Sequence, residues 1–256
     1  MLCIHQTMLY LHIVLGVVAL VVFWLPIASR KGGVMHIKAG RIYVWSMYVV
    51  SASGILMAVM VLSAPWYFKA ELLARANNPA VMLQQIYEFW SLLLLLSVLT
   101  FVGVRQAMLV LQHKHDSSVF RRFGYLWLPI TLLACALVVL MIAIKASLAA
   151  QQTLILHYIF AGLGTVNGLQ MLGFAWQRSP APKRWLIEHI SATLGSGIAV
   201  YTAFFAFGAR HWLSFLGQWQ LLSWILPGVI GTFAIFWATK RYTQLRTKRV
   251  QGTAQP

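Results

Sequence analysis

Four histidines lie near the ends of long apolar segments, where ionisable side chains are rare. They are His12 (LHIVLG), His36 (MHIKAGR), His157 (LHYIFAG) and His189 (EHISATLG). An ionisable group inside a membrane is energetically costly and usually has a function. A neutral imidazole nitrogen is a ligand of haem iron, and two histidines on facing helices can hold a b-type haem from both sides. The four histidines are therefore candidate metal ligands.

Small and basic residues accompany these histidines. Three or four residues after each histidine stands a small residue, which a flat porphyrin lying against a helix requires: Gly16, Gly40, Ala161 and Ala192. Basic side chains near the membrane boundary would pair with the haem propionates: Lys38, Arg41 and Arg105. Glu188, beside His189, would either orient that ring as a hydrogen-bond partner or serve as a charge favoured by the dipole at the helix start. The pattern predicts haem b, at one or two sites.

The same residues have other interpretations. Small residues at helical spacing also let membrane helices pack closely without any cofactor. A transporter or ion-handling permease would use the intramembrane polar residues His12, His157, Asn167 and Glu88 to line a pathway. A non-catalytic assembly partner is the third interpretation. Since the sequence contains no nucleophile–base set, P-loop or dinucleotide-binding fingerprint, no enzymatic reaction is assigned.

The composition indicates what kind of element positions these side chains. Hydrophobic residues make up 60% of the 256-residue chain and charged residues only 9%, against about a quarter in a soluble domain. The net charge of +16 is spread over short clusters between apolar runs, so it does not predict nucleic-acid binding. The predicted environment is a lipid bilayer, the inner (plasma) membrane of a cell, and the oligomeric state is left open.

Seven apolar runs are long enough to cross a bilayer as helices, which takes about 20 residues. They lie near residues 8–27, 43–63, 89–111, 125–145, 154–176, 187–209 and 221–239. Because the runs are continuously apolar rather than alternating, a closed barrel of strands is excluded. The sequence predicts an all-α, polytopic transmembrane bundle in a single domain, residues 1–245. Residues 246–256 are predicted to form a disordered basic tail.

The distribution of Lys and Arg predicts the orientation of the bundle. Sixteen of the twenty basic residues fall in connections on one side, which predicts an outside N-terminus and a cytoplasmic C-terminus. This orientation sorts the histidines into an outer pair, His12 and His157, and an inner pair, His36 and His189. Two haems at two depths would move electrons across the membrane, to or from a quinone or a membrane redox partner. His36, however, precedes its predicted span by seven residues.

Residues 31–54, KGGVMHIKAGRIYVWSMYVVSASG, carry a recognisable motif. Its elements are a Lys-Gly pair, a His-x-x-x-Gly-Arg stretch, an aromatic residue and a later Ser-Gly pair: Lys31, Gly32, His36, Gly40, Arg41, Tyr43, Ser53 and Gly54. The segment resembles an uncharacterised family of polytopic bacterial membrane proteins that carries a domain of unknown function. The resemblance implies a membrane protein in which these histidines matter, and it implies no particular reaction.

Overall fold

The computed structural model describes residues 2–114, 116–149, 154–177, 184–209, 212 and 214–252, and every regular element in these ranges is helical. This confirms the all-α prediction. The α-helices are α1 (Leu2–Val22), α2 (Trp24–Ala28), α3 (Val34–Ser63), α4 (Pro65–Phe68), α5 (Ala70–Ala74), α6 (Pro79–Gln112), α7 (Phe123–Leu148), α8 (Ile155–Ala175), α9 (Arg184–Ala203) and α10 (Leu222–Gly252). A π turn, Phe204–Gly208, ends α9, and two 3₁₀ segments, Ser117–Arg121 and Ser214–Leu221, precede α7 and α10.

Six helical segments of the described chain are long and apolar enough to cross a membrane. They are Cys3–Ala28, Val34–Ser63, Pro79–Gln112, Phe123–Leu148, Arg184–Gly208 and Trp219–Arg241. Large apolar side chains are also exposed along their outer faces, as expected of a surface in contact with lipid. The chain is therefore a multi-pass helical membrane protein.

The predicted fifth span coincides with α8, which is not among these six segments. At about 1.5 Å per residue its 21 residues extend about 31 Å, which is a spanning length. Its composition is more polar, because it contains His157, Asn167 and Gln170. The helix nevertheless packs inside the bundle, against α7 and α6.

Several helices extend beyond the predicted apolar runs. The predicted spans near 43–63 and 89–111 belong to helices that begin at Val34 and Pro79. Polar residues interrupt an apolar run without interrupting a helix. Asn78 caps the start of α6, since its side chain accepts hydrogen bonds from the backbone N–H of Ala80 (3.1 Å) and Val81 (3.3 Å). Because α3 begins at Val34, His36 stands in the first turn of that helix.

The last helix also continues further than the sequence predicts. Its backbone is helical as far as Gly252, so residues 246–252 of the predicted disordered tail are helical here, and residues 253–256 lie outside the described part. The segment contains good helix formers and no proline after Pro227 within the helix, so nothing in it terminates α10 earlier.

Helix α6 is the central element of the bundle. It packs against α3 on one side, against α7 and α8 on another, and against α9. The largest cluster of buried side chains lies on the α7–α8 side and includes Leu95, Leu132 and Phe174. Helix α1 packs against α3, and α10 packs against α9. Side chains from α1 and α8 therefore approach α6 from different directions.

Candidate functional site

His36 and His189 come together at one end of the bundle. His36 lies in the first turn of α3 and His189 in the second turn of α9, at the starts of two helices that both pack against α6. Seven residues further along each helix, the hydroxyls of Tyr43 and Ser196 form a hydrogen bond of 2.8 Å. The two helices therefore run in the same direction in matched register. We call His36 and His189 the histidine pair, and the end of the bundle where they lie the basic end.

Hydrogen bonds fix the same tautomer in both rings of the pair. His36 Nδ1 lies 3.0 Å from the carbonyl oxygen of Pro26, and His189 Nδ1 lies 3.0 Å from that of Ala107. A carbonyl oxygen only accepts, so each Nδ1 carries the proton and donates it. In the neutral ring, Nε2 then has a free lone pair, and neither Nε2 has a hydrogen-bond partner among the described residues. A metal-ligating histidine typically has this arrangement.

The surroundings of the pair are basic. The ammonium group of Lys31 donates to the Pro26 carbonyl that His36 uses, at 2.9 Å, and partial burial lowers the pKa of Lys31. Lys114 interacts electrostatically with His189 and stands 4.7 Å from the centre of the Trp185 ring. An anionic group beside the pair would therefore meet two ammonium groups.

The predicted partner of His189 is engaged elsewhere. Glu188 forms an ion pair with Arg184, Nη2 to Oε1 at 2.7 Å, one turn back on α9. The Nδ1 proton of His189 is donated to the backbone of α6 instead. Residue types and adjacency do not reveal such a bond, because it depends on how α9 packs against α6.

The structure does not bring His12 and His157 together. His12 lies against Gly54 and Ser97. A Cβ added to Gly54 would stand 3.5 Å from Cε1 of His12 and would collide with the Ser97 side chain. His157 bonds instead to the carbonyl oxygen of Glu88. Ser97 and Glu88 are nine residues apart on α6, which is about 14 Å along the axis and half a turn around it. Helix α6 therefore lies between the two histidines of the predicted outer pair.

The two outer histidines also differ in what their rings can offer. His157 is buried, and its Nε2–H donates to the Glu88 carbonyl at 3.0 Å, which ties α8 to α6. The Ser53 hydroxyl hydrogen bonds to the carbonyls of Val49 (2.7 Å) and Val50 (2.9 Å), so His12 Nδ1 donates to Ser53 Oγ at 3.0 Å. His12 thus keeps Nε2 free, whereas His157 uses the nitrogen by which histidine commonly ligates haem.

The small residues predicted to face a porphyrin have different surroundings. A Cβ on Gly16 or on Gly40 would meet no atom of another element within 4 Å, so the space beside both is open. Ala161 is buried in the core between α7 and α8, and Ala192 is half-buried on α9. Gly40 and Ala192 each lie about one turn after a histidine of the pair, on α3 and α9.

The basic residues predicted to pair with propionates divide in the same way. Lys38 and Arg41 are exposed, and Arg41 lines a groove between α1 and α3, whereas Arg105 is half-buried on α6. Lys31 and Lys114, which adjoin the pair, were not among the residues predicted to pair with propionates. Their positions follow from the turns after α2 and α6, which apolar periodicity does not predict.

A single polar pathway would require the remaining intramembrane polar groups to converge. Asn167 donates from Nδ2 to the Leu163 carbonyl of its own helix at 2.8 Å, on the outward side of α8. Glu88 is buried and accepts a hydrogen bond of 2.8 Å from Gln84. Glu88 is on α6, Asn167 is on the outward side of α8, and His12 is on α1. These groups therefore do not converge on a single pathway.

Comparisons with known proteins add no further information. No family model, curated protein or solved structure matches the chain. Within the described ranges, no three His, Cys, Asp or Glu side chains form a metal-binding group, and the histidine pair itself offers two ligands. The resemblance of residues 31–54 to a membrane-protein family stays a prediction, and a functional interpretation has to come from the geometry of the pair.

Proposed function

We propose that this protein binds one b-type haem at the basic end of the bundle, with His36 and His189 as its two axial ligands, and that it functions in membrane electron transfer. The observation that carries the proposal is the shared tautomer of the pair. Both Nδ1–H groups donate to backbone carbonyls, which leaves two Nε2 lone pairs on helices in matched register. Haem bound there would supply one-electron redox chemistry.

The residues around the pair support this ligand. Gly40 and Ala192 leave room for a flat ring on the helices that bear the ligands. Lys31 and Lys114 lie beside the pair, so they would hold the propionates in place of Arg41. A single haem fits better than two, because α6 separates His12 from His157. A quinone or a membrane redox protein is the expected electron partner.

We also propose seven spans, an outside N-terminus and a cytoplasmic basic end in a plasma membrane. Support comes from the length and packing of α8 within the bundle, and from the sixteen basic residues assigned to one side. An odd number of crossings is required to place the two termini on opposite sides.

An absorbance spectrum of the detergent-purified protein from haem-replete cells tests the haem proposal. We expect a Soret band that shifts on reduction with dithionite and disappears in both His36→Ala and His189→Ala. His157→Ala is the control and should retain the full haem content per protein. A folded, colourless wild-type protein would refute the proposal. Loss of half the haem in His157→Ala would restore the two-haem model.

A further inference from the structure

An open groove runs along the lipid-facing side of α1 and α3. Its volume is about 490 Å³, and its walls are apolar except at Arg41 and Ser46. The lining residues are Leu15, Val18, Arg41, Ile42, Trp45, Ser46 and Val49. Because α1 and α3 are antiparallel neighbours, the groove extends from Arg41 away from the basic end toward the middle of the bundle.

Arg41 belongs to this groove and not to the histidine pair. At about 100° per residue, Arg41 is displaced by about 140° from His36 and about 160° from Tyr43 around α3. Tyr43 points toward α9, where it bonds to Ser196, whereas Arg41 is exposed beside α1. The arginine of the His-x-x-x-Gly-Arg motif is therefore not explained by the proposed haem site.

The guanidinium of Arg41 needs an anionic partner from outside the chain. Within the described residues it makes neither an ion pair nor a side-chain hydrogen bond, and the chain has only four acidic residues in all. Arg41 stands seven residues after Val34, about 10 Å along α3 from its start. An arginine at this depth extends its charged end toward lipid phosphates and keeps its stem in the apolar region.

A second cation lies on the same face of the helix. Lys38 precedes Arg41 by three residues, is exposed, and is one turn closer to the basic end. Further along α3 from Arg41, the groove is lined by Trp45, of which 69% is exposed, and by Val49. Val18 and Leu15 line the opposite side, on α1. The groove thus presents two cations at its mouth and an apolar surface along its length.

We propose that this groove binds an anionic phospholipid. The phosphate accepts hydrogen bonds from Arg41 and is attracted by the positive charge of Lys38. One acyl chain lies along the apolar wall between α1 and α3. Basic pockets between membrane helices bind anionic headgroups by this combination of charge and apolar contact. The planar guanidinium suits a phosphate because it offers parallel N–H donors.

Native mass spectrometry of the full chain, with equal amounts of phosphatidylglycerol and phosphatidylcholine added, tests the proposal. We expect phosphatidylglycerol to be retained in preference. Arg41→Gln should weaken its retention about fivefold, the factor that one charge near an anionic headgroup typically contributes. Arg122→Gln, which replaces an exposed arginine at the basic end just before α7, is the matched control and should change nothing. Equal losses in both variants would mean that only overall charge matters, and would overturn the site.

A steric variant tests the groove without altering charge. Val18→Trp fills the wall, whereas Val17→Trp adds the same side chain at a neighbouring, exposed position that does not line the groove. We expect only Val18→Trp to release phosphatidylglycerol. Equal retention in the two variants, equal binding of the two lipids, or binding of inorganic phosphate alone would each overturn the proposal. So would a change of oligomeric state in Val18→Trp, since a second copy of the chain would then be the occupant.

Discussion

At the scale of single residues, the position of the histidine proton distinguishes the four candidate ligands. His36 and His189 hold their protons on Nδ1 through backbone carbonyls, so both present Nε2. His157 donates from Nε2 itself, to the Glu88 carbonyl. His12 also has its proton on Nδ1, so three of the four histidines have the tautomer of a haem ligand. Only His36 and His189 lie together at the basic end. The backbone carbonyl that each ring reaches decides which role is available to it.

His157 provides a test of a purely structural histidine. His157→Ala removes the buried hydrogen bond to the Glu88 carbonyl, and a hydrogen bond of this kind contributes about 0.5–1.5 kcal/mol to stability. We expect thermal unfolding in detergent at a lower temperature, with unchanged haem content. His113→Ala, in the connection after α6, is the matched control. An unchanged unfolding temperature in His157→Ala would show that the bond does not stabilise the bundle.

At the scale of elements, α1 and α9 approach each other closely at Gly197. Phe23 lies between α1 and α2. A Cβ on Gly197 would collide with the ring of Phe23. The same ring packs beside Tyr43 and Tyr201. This contact aligns α9 with α3 and thereby sets the register of the histidine pair.

Two glycine substitutions on the same helix separate close approach from helix propensity. Gly197→Ala should destabilise the protein by about 1–3 kcal/mol, because the added methyl group displaces a buried aromatic ring. Gly195→Ala meets no neighbour within 4 Å and should be neutral or stabilising by up to about 1 kcal/mol. Chemical unfolding in detergent followed by circular dichroism compares the two. If both substitutions behave alike, Phe23 does not fix α9 at this position.

At the scale of the whole molecule, the decisive question is whether α8 crosses the membrane. Six helical segments have the length and composition of spans, and α8 has the length with a more polar composition. Its neighbours α7 and α6 cover the face that bears His157, so the polar ring is buried in protein and bonded to backbone. Burial in protein and the hydrogen bond to backbone lower the cost of placing His157 in a spanning helix.

Cysteine labelling in intact cells tests the topology. In a background without Cys3 and Cys135, Ala149→Cys marks the end of α7, before α8, and Gln177→Cys marks the chain just after α8. We expect a membrane-impermeant maleimide to label Ala149→Cys from outside and Gln177→Cys only after permeabilisation. Gly32→Cys, between α2 and α3, should behave like Gln177→Cys. Labelling of positions 149 and 177 from the same side would reduce the number of spans to six.

The fold class and most of the helices could be predicted from the sequence. These features depend on local composition and on the length of apolar runs. Each residue's preference for lipid or water depends mainly on its own side chain, so both can be taken from the sequence. The boundaries of α3, α6 and α10 were underestimated because a helix continues through polar residues after the apolar run has ended.

Only the tertiary structure decided which histidines meet. The sequence predicted a pairing of His12 with His157 and of His36 with His189, and His36 stood outside its predicted span. In the structure α6 passes between His12 and His157, whereas His36 and His189 lie at the same end of the bundle. The depth of a residue follows from its position along its own helix. Its partner depends instead on which face of that helix packs against the neighbouring helices. That face is determined jointly by many interhelical contacts.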